Sequence, residues 1–344
     1  MAKQTIETRP EDILFSPSDV ARLGLANLNH RRVNRDHGVP FGIPSIDKDY
    51  LPLLPGELEC TIARPGNGKT GVMVHRARQR AKYLASKNSD KAVVFATCEQ
   101  TVEELWTFGI AAQTGINVSD MARGNINDTE WVRIEQESVG YGAVPIWLIG
   151  PSKENRKKRP KITIPALVDA IFHMEETSGT KPDIVFLDYL QLVRPSVRTQ
   201  SKTVDMSEIL EECKDGALHT DCGWSVAVQA KREVDLQALP IPGLDSGQWT
   251  SAIEQFSDKV WSLVRPCKYR KPGEQFGSQT VEGHSQMVMS LLKQKLGMDN
   301  KAFWVYFDPA YNKLHDLEMD YAVADNANQT YRTNKQLNGK RVGA

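Results

Sequence analysis

Short apolar runs separated by amphipathic stretches recur along most of the chain. Leu58 to Ala63, Ala92 to Thr97, Pro145 to Ile149 and Ile184 to Leu187 have strand length and are rich in Val, Ile, Ala and Phe. Each is followed by enough residues for a crossover helix, the pattern of a parallel sheet. Leu167, Ala170, Ile171 and Met174 repeat at i, i+3, i+4 and i+7, with Pro165 in the first turn, where its missing N–H costs little. Ser207 to Leu218 repeats that face through Ile209, Leu210, Cys213 and Ala217. Trp224 to Val228, Lys259 to Val264, Met287 to Leu292 and Phe303 to Phe307 supply later strands, the last two flanking a short polar connection as in a hairpin. The fold class predicted is α/β: a mostly parallel twisted sheet flanked by helices, with a late antiparallel hairpin.

The first strand runs into Ala63-Arg64-Pro65-Gly66-Asn67-Gly68-Lys69-Thr70, and a helix is predicted from Thr70 onward. Met73, Ala77, Ala81 and Leu84 form its apolar face, leaving Arg76, Arg78, Arg80 and Lys82 for the exposed side. The pattern G-x-x-x-x-G-K-[ST] has alanine at its first position here, but Gly-Lys-Thr between a strand and a helix reads as a phosphate-binding loop. Its glycines let backbone N–H groups close around phosphate oxygens, Lys69 places an ammonium beside the terminal phosphates, and Thr70 offers a hydroxyl to Mg²⁺.

Nucleotide hydrolysis also needs a carboxylate on the metal side and a group that orients water. Ile184-Val-Phe-Leu-Asp188 is an apolar strand ending in such a carboxylate. Glu99 follows the strand ending at Thr97 and is either the water-activating base or a charge capping the helix that Thr101, Glu103 and Glu104 announce. Gln229 ends another strand and offers an amide to the γ-phosphate.

Composition narrows the picture. The 344 residues include 43 basic and 43 acidic ones, a balance that excludes a general polyanion-coating protein and leaves room for a local basic channel. Lys153 to Lys161 is the densest charge run, a solvated loop or a DNA contact. Cys60, Cys98, Cys213, Cys222 and Cys267 have no C-x-x-C spacing and read as reduced core thiols, not zinc ligands. There is no apolar leader and no run approaching the roughly 18 residues of a membrane span, so a cytoplasmic protein without membrane contact is expected. Residues 1–40 read as an arm or linker, with a short helix near Ser16 to Leu25 followed by the basic stretch Asn29 to Arg35; the arm is a disordered leader or docks on a neighbouring subunit. Residues 41–318 form the ATPase domain and 319–344 a disordered tail.

Taken in order, Ala63 to Thr70, the strand ending at Glu99, Leu187-Asp188-Tyr189-Leu190-Gln191-Leu192, Val228-Gln229, Ser251-Ala-Ile-Glu-Gln255 and Lys293-Gln-Lys295 resemble the motor domain of DnaB-type replicative helicases, RecA-like ATPases in which alanine at the first loop position is usual. The resemblance spans about Phe41 to Leu317. It implies a RecA-like core in a homo-oligomeric, hexameric ring, with ATP and Mg²⁺ between subunits, single-stranded DNA through the centre, and replication or mobile-element proteins as partners. Arg64 to Thr70 would hold the nucleotide, Thr70 and Asp188 the metal, Glu99 the water and Gln229 the γ-phosphate. Lys293 and Lys295 would reach into the neighbour's site, unless they are solvent-facing lysines on a hairpin. The family normally has arginine in place of Lys295, and a lysine lacks the planar bidentate contact, so action across the interface is weaker or rearranged.

The DNA side departs further. Where the family has an arginine-glutamate pair and a glycine, this chain has Gln248, Trp249, Thr250 and Ser251. Gln248, Ser251 and backbone amides can bond phosphates while Trp249 stacks on a base, helped by Lys231 and Arg232; alternatively Trp249 is a buried anchor that closes the loop. The family's helical amino-terminal domain has no counterpart, which points to a compact relative encoded by a phage, plasmid or mobile element. The expected activity is ATP-dependent 5′-to-3′ translocation and unwinding; the alternatives are a RecA- or KaiC-like remodelling ATPase and a nucleotide-gated DNA-binding scaffold.

Overall fold

The computed structural model describes residues 14–34, 38–154, 161–246 and 250–317. The chain divides into two compact units, Met1–Gly38 and Val39–Ala344. In the first, helix α1 (Pro17–Val33) starts at the Ser16 cap, with Pro17 in its first turn. It is longer than the Ser16–Leu25 helix expected: Gly24 does not end it, nothing between Leu25 and Val33 is a breaker, and the basic stretch is helical as far as Val33.

The second unit is built on one nine-stranded sheet of order β11-β10-β9-β6-β1-β5-β4-β2-β3. Its strands are β1 (Leu58–Ala63), β2 (Lys91–Thr97), β3 (Ile146–Ile149), β4 (Lys181–Asp188), β5 (Gly223–Gln229), β6 (Lys259–Val264), β9 (Gln286–Gln294), β10 (Lys301–Asp308) and β11 (Lys313–Asp316). The first six run parallel, and β9, β10 and β11 continue the sheet antiparallel. A separate two-stranded ribbon joins β7 (Gln275–Phe276) to β8 (Gln279–Thr280). The helices are α2 (Pro44–Asp47), α3 (Lys69–Ser86), α4 (Val102–Thr114), α5 (Val118–Arg123), α6 (Asp128–Gly142), α7 (Ile164–Ser178), α8 (Lys202–His219) and α9 (Thr250–Phe256). None described is long and apolar enough to cross a membrane.

The apolar runs are buried on both faces, and the two-residue strand period divides them between two cores. Val94, Ala96, Val185, Leu187, Val226 and Val228 pack with α7, α8 and α9. Their alternates Val93, Phe95, Ile184, Phe186 and Ala227 pack with α3 and Leu105 of α4. None of the five cysteines is in a disulfide, and four are buried. Four helices begin on side-chain caps that bear on the packing here: Thr101 and Asn127 form capping boxes for α4 and α6, and Thr163 and Ser201 cap α7 and α8.

Of the basic face expected to be exposed on α3, only Lys82 is exposed, and the structure corrects the rest. Arg76 and Arg78 are buried at 3% and 7% exposure. Arg76 is drawn inward by Glu59, a fully buried carboxylate on β1 that also accepts hydrogen bonds from the Tyr50 and Ser225 hydroxyls (2.7 Å each) and the Trp261 indole N–H (3.0 Å). The guanidinium carbon sits over the Phe41 ring, 4.1 Å from its centroid. Arg80 is pinned at the helix edge by two hydrogen bonds to Asp183, 2.6 and 3.0 Å. A buried pair of this kind leaves an uncompensated charge when one partner is removed. Glu59→Ala is therefore expected to lower unfolding free energy by about 3–5 kcal/mol in urea titrations; an unchanged midpoint would show that the pair contributes nothing.

Candidate functional site

Because β1, β5, β4 and β2 are neighbours and parallel, their carboxyl ends converge on one edge of the sheet. Ala63 is in register with Gln229, and Thr97 with Asp188. The β2 end is further tied down by Cys98 N–H donating to the Asp188 carbonyl at 2.8 Å. Glu99, Asp188, Gln229 and the glycine loop thus come together around the first turn of α3.

The loop is shaped by its glycines. Gly68 has φ 90°, and a Cβ there would lie 2.7 Å from the Phe307 ring and 2.8 Å from Met287. It is the N-cap of α3, and unlike the caps of α4, α6, α7 and α8 it offers no side chain to the first-turn N–H groups. Those donors remain available to an anion, and the helix dipole favours one. Ala63, at the first loop position, is buried in the core cluster that also holds Phe41, Trp261 and Met287.

Two of the residues expected to hold nucleotide also brace the loop. Arg64 donates to Asp235 Oδ2 at 2.9 Å and to the Ala230 carbonyl at 3.1 Å. Asn67, 1% exposed, donates to the Arg64 carbonyl and accepts from the Arg265 N–H at 2.8 Å. Pro65 and Gly66 are exposed at the mouth. The Lys69 ammonium bends back to the Ala63 carbonyl at 3.0 Å, and burial lowers its pKa to about 8 against the opposing pull of Asp188 and Glu99.

Thr70 donates its hydroxyl to Asp188 Oδ2 at 2.5 Å. Asp188 is 1% exposed, and its Oδ1 has no hydrogen-bond partner among the described residues. Burial raises its pKa, Thr70 and Lys69 oppose that, and Glu99 adds to it. A buried carboxylate oxygen without a donor, next to a hydroxyl, fits a hard divalent cation such as Mg²⁺. No cluster of three or more His, Cys, Asp or Glu side chains among the described residues is placed to hold a metal alone, so the remaining ligands would be water and phosphate oxygens. Glu99 is exposed and does not cap α4, a role taken by Thr101 with Glu104.

Lys268 is a residue that the motifs do not reveal. It follows β6 in a short 3₁₀ turn, and its ammonium reaches the Pro65 carbonyl (3.4 Å) and occupies the space a Cβ on Gly66 would take. This second cation at the loop mouth is visible only through the pairing of β6 with β1. Gln191 is another: its side-chain amide donates to the Gln229 carbonyl (3.3 Å) and accepts from the Gln229 N–H (3.2 Å), fixing that strand end.

Other expected residues lie further out. Lys293 donates to the Glu254 and Ser257 carbonyls at 2.6 and 2.7 Å, and Lys295 sits 3.4 Å from Asp258, so within one subunit both are held beside β6 rather than at the loop. Lys231 N–H donates to the Ser246 carbonyl at 2.9 Å, which sets Lys231 and the exposed Arg232 beside the turn leading toward α9. Ser251 is exposed on the first turn of α9. Gln248, Trp249 and the side chain of Thr250 lie outside the described residues, as do most of Lys153–Lys161 and the tail from 318 onward.

Fold and site together define a P-loop nucleotide-binding domain of RecA-like architecture. Residues 38–316 match the family model described as the DnaB-like helicase C-terminal domain, and the chain belongs to that family. It is 23% identical over 319 residues to replicative DNA helicase DnaB of Rickettsia bellii, covering 87% of this chain and 62% of that protein. It is 24% identical to replicative DNA helicase DnaC of Bacillus subtilis, covering 84% and 59%. The chain spans about six-tenths of the length of these curated relatives. Among solved structures, the ATPase domain of G40P superposes with TM-score 0.73 at 20% identity, over 86% of this chain and 98% of that one. A DnaB-like replicative helicase described with its interactions with primase gives TM-score 0.72 at 19% identity, over 86% and 66%.

Proposed function

We propose that this chain is an ATP-driven helicase motor of DnaB type, moving on single-stranded DNA as a homo-oligomeric, hexameric ring. The observation that carries the reading is the convergence of an uncapped helix N-terminus, Lys69, the Thr70–Asp188 pair and Glu99 on one sheet edge. The uncapped N–H groups and Lys69 bind and orient the triphosphate, with Lys268 adding positive charge at the mouth. Thr70 and Asp188 would hold Mg²⁺, which neutralises phosphate charge when bound. Glu99 accepts a proton from the attacking water, and Gln229, fixed by Gln191, reads the γ-phosphate end.

Lys293 and Lys295 serve the neighbouring subunit's site, and their contacts to Glu254, Ser257 and Asp258 set their positions. DNA contact is assigned to Gln248, Trp249, Thr250 and Ser251 with Lys231 and Arg232. Residues 1–40 act as an arm and 41–318 as the motor, in the cytoplasm, alongside replication or mobile-element proteins.

Unwinding tests this reading. On a forked duplex with a 5′ single-stranded tail, the chain is expected to release the complementary strand with ATP and Mg²⁺ and to leave it paired with a non-hydrolysable analogue. Hydrolysis without strand release on any fork would reduce the assignment to an ATPase that binds or remodels DNA.

A further inference from the structure

Beyond the loop, α3 passes along a cavity of about 200 Å³ walled on its other sides by α4, β11 and the turn before β11. His75, Arg78 and Lys82 recur at helical spacing on the α3 side, and Lys313 and His315 alternate along β11 opposite them. None of these five groups forms an ion pair among the described residues. Arg78 and Lys82 feel Glu137 only at a distance, and Arg78 also faces the Tyr141 ring, 5.6 Å away.

Two buried donors at this cavity are unmatched. Arg78 is 7% exposed and its Nη1 has no partner; it lies beneath α4 where Gly109 leaves room, since a Cβ there would sit 3.2 Å from that nitrogen. Asn312 is 1% exposed, with its Oδ1 against Gly71 and its Nδ2 without a partner. Burying such donors unpaired is costly. Arg78 adds a buried positive charge, and the exposed Lys82 and Lys313 add two more at the rim. Burial first, and then the fields of Arg78, His315, Lys82 and Arg76, push His75 down to about 4, so near pH 7 this imidazole is neutral.

We infer that this cavity is a second anion site, which takes a small phosphate-bearing ligand of at least two negative charges between Arg78, Lys82, Lys313, His315 and the Asn312 amide. It is separate from the loop. His75 to Lys82 lie about 8 to 18 Å along the helix axis from Thr70, so one phosphate group cannot serve both places. Donors from a helix, a strand and a turn surround the space, an arrangement suited to a tetrahedral polyanion more than to a planar carboxylate. The ligand is either a free phosphate or diphosphate, or a phosphate carried on a larger nucleotide.

Isothermal titration of inorganic pyrophosphate into the full chain tests this, using wild type, Lys69→Ala and the double variant Lys82→Gln/Lys313→Gln. The site predicts binding in wild type that survives Lys69→Ala and weakens by about tenfold or more in the double variant. The His75 and His315 imidazole NMR signals should shift with the same titration in wild type and in Lys69→Ala, a readout that does not depend on the double variant folding. A guanosine 3′,5′-bisdiphosphate arm separates the sources: binding at least tenfold tighter than pyrophosphate assigns a nucleotide-borne phosphate, and equal or weaker binding assigns the free anion. No binding, binding lost in Lys69→Ala, or binding indifferent to the double variant would each overturn the inference. So would oligodeoxythymidine displacing pyrophosphate stoichiometrically from this cavity, which would make it part of a nucleic-acid groove.

Discussion

Lys69→Ala is expected to lower kcat/KM for ATP by about three orders of magnitude, roughly 4 kcal/mol of transition-state stabilisation. The Lys69 ammonium lies over the loop, 3.0 Å from the Ala63 carbonyl, and burial holds its pKa at about 8. The folded protein therefore already works against that charge in the absence of ligand, and removing it should leave the melting temperature unchanged or slightly higher. A bound triphosphate reverses the balance and raises the pKa. Near pH 8 nucleotide binding should take up about half a proton, and near pH 6, where Lys69 is charged with or without ligand, almost none. Steady-state turnover, a thermal melt and calorimetry in two buffers of different ionisation enthalpy check all three. A variant that keeps a tenth of wild-type turnover would show that Lys268 or the helix N-terminus carries the phosphate charge instead.

Glu99→Gln should separate binding from chemistry. The carboxylate is exposed and outside the capping box of α4, yet its field reaches both Lys69 and Asp188. Its loss removes a proton acceptor without disturbing the loop, so kcat should fall by about 10²- to 10³-fold while nucleotide affinity stays within about threefold. Affinity that falls in step with kcat would mean that Glu99 organises the site rather than activating water.

The sheet is legible in the sequence because parallel strands buried on both faces leave uninterrupted apolar runs, and because Gly-Lys-Thr and Leu187-Asp188 mark where two of them end. Whatever depended on partners distant in the chain was not. Arg76 looks like a surface residue until Glu59, seventeen positions earlier on β1, turns out to be a buried carboxylate. Arg78 likewise goes under α4 only because Gly109 and Tyr141 make room there. Arg64 and Asn67 sit inside the motif, yet their polar groups brace the loop against Asp235 and Arg265, and Lys268 reaches the loop from a turn outside every motif. Local pattern identifies elements and their ends; the direction of a long charged side chain is decided by which elements the topology stacks beside it.

We propose that the strand-end constellation is a nucleotide-hydrolysing centre coupled to single-stranded DNA. Turnover of ATP with and without single-stranded DNA, in wild type and Lys69→Ala, tests it most directly. Hydrolysis that rises several-fold with DNA and vanishes in Lys69→Ala is the predicted result. Hydrolysis that is absent, or present and indifferent to DNA, would contradict the coupling.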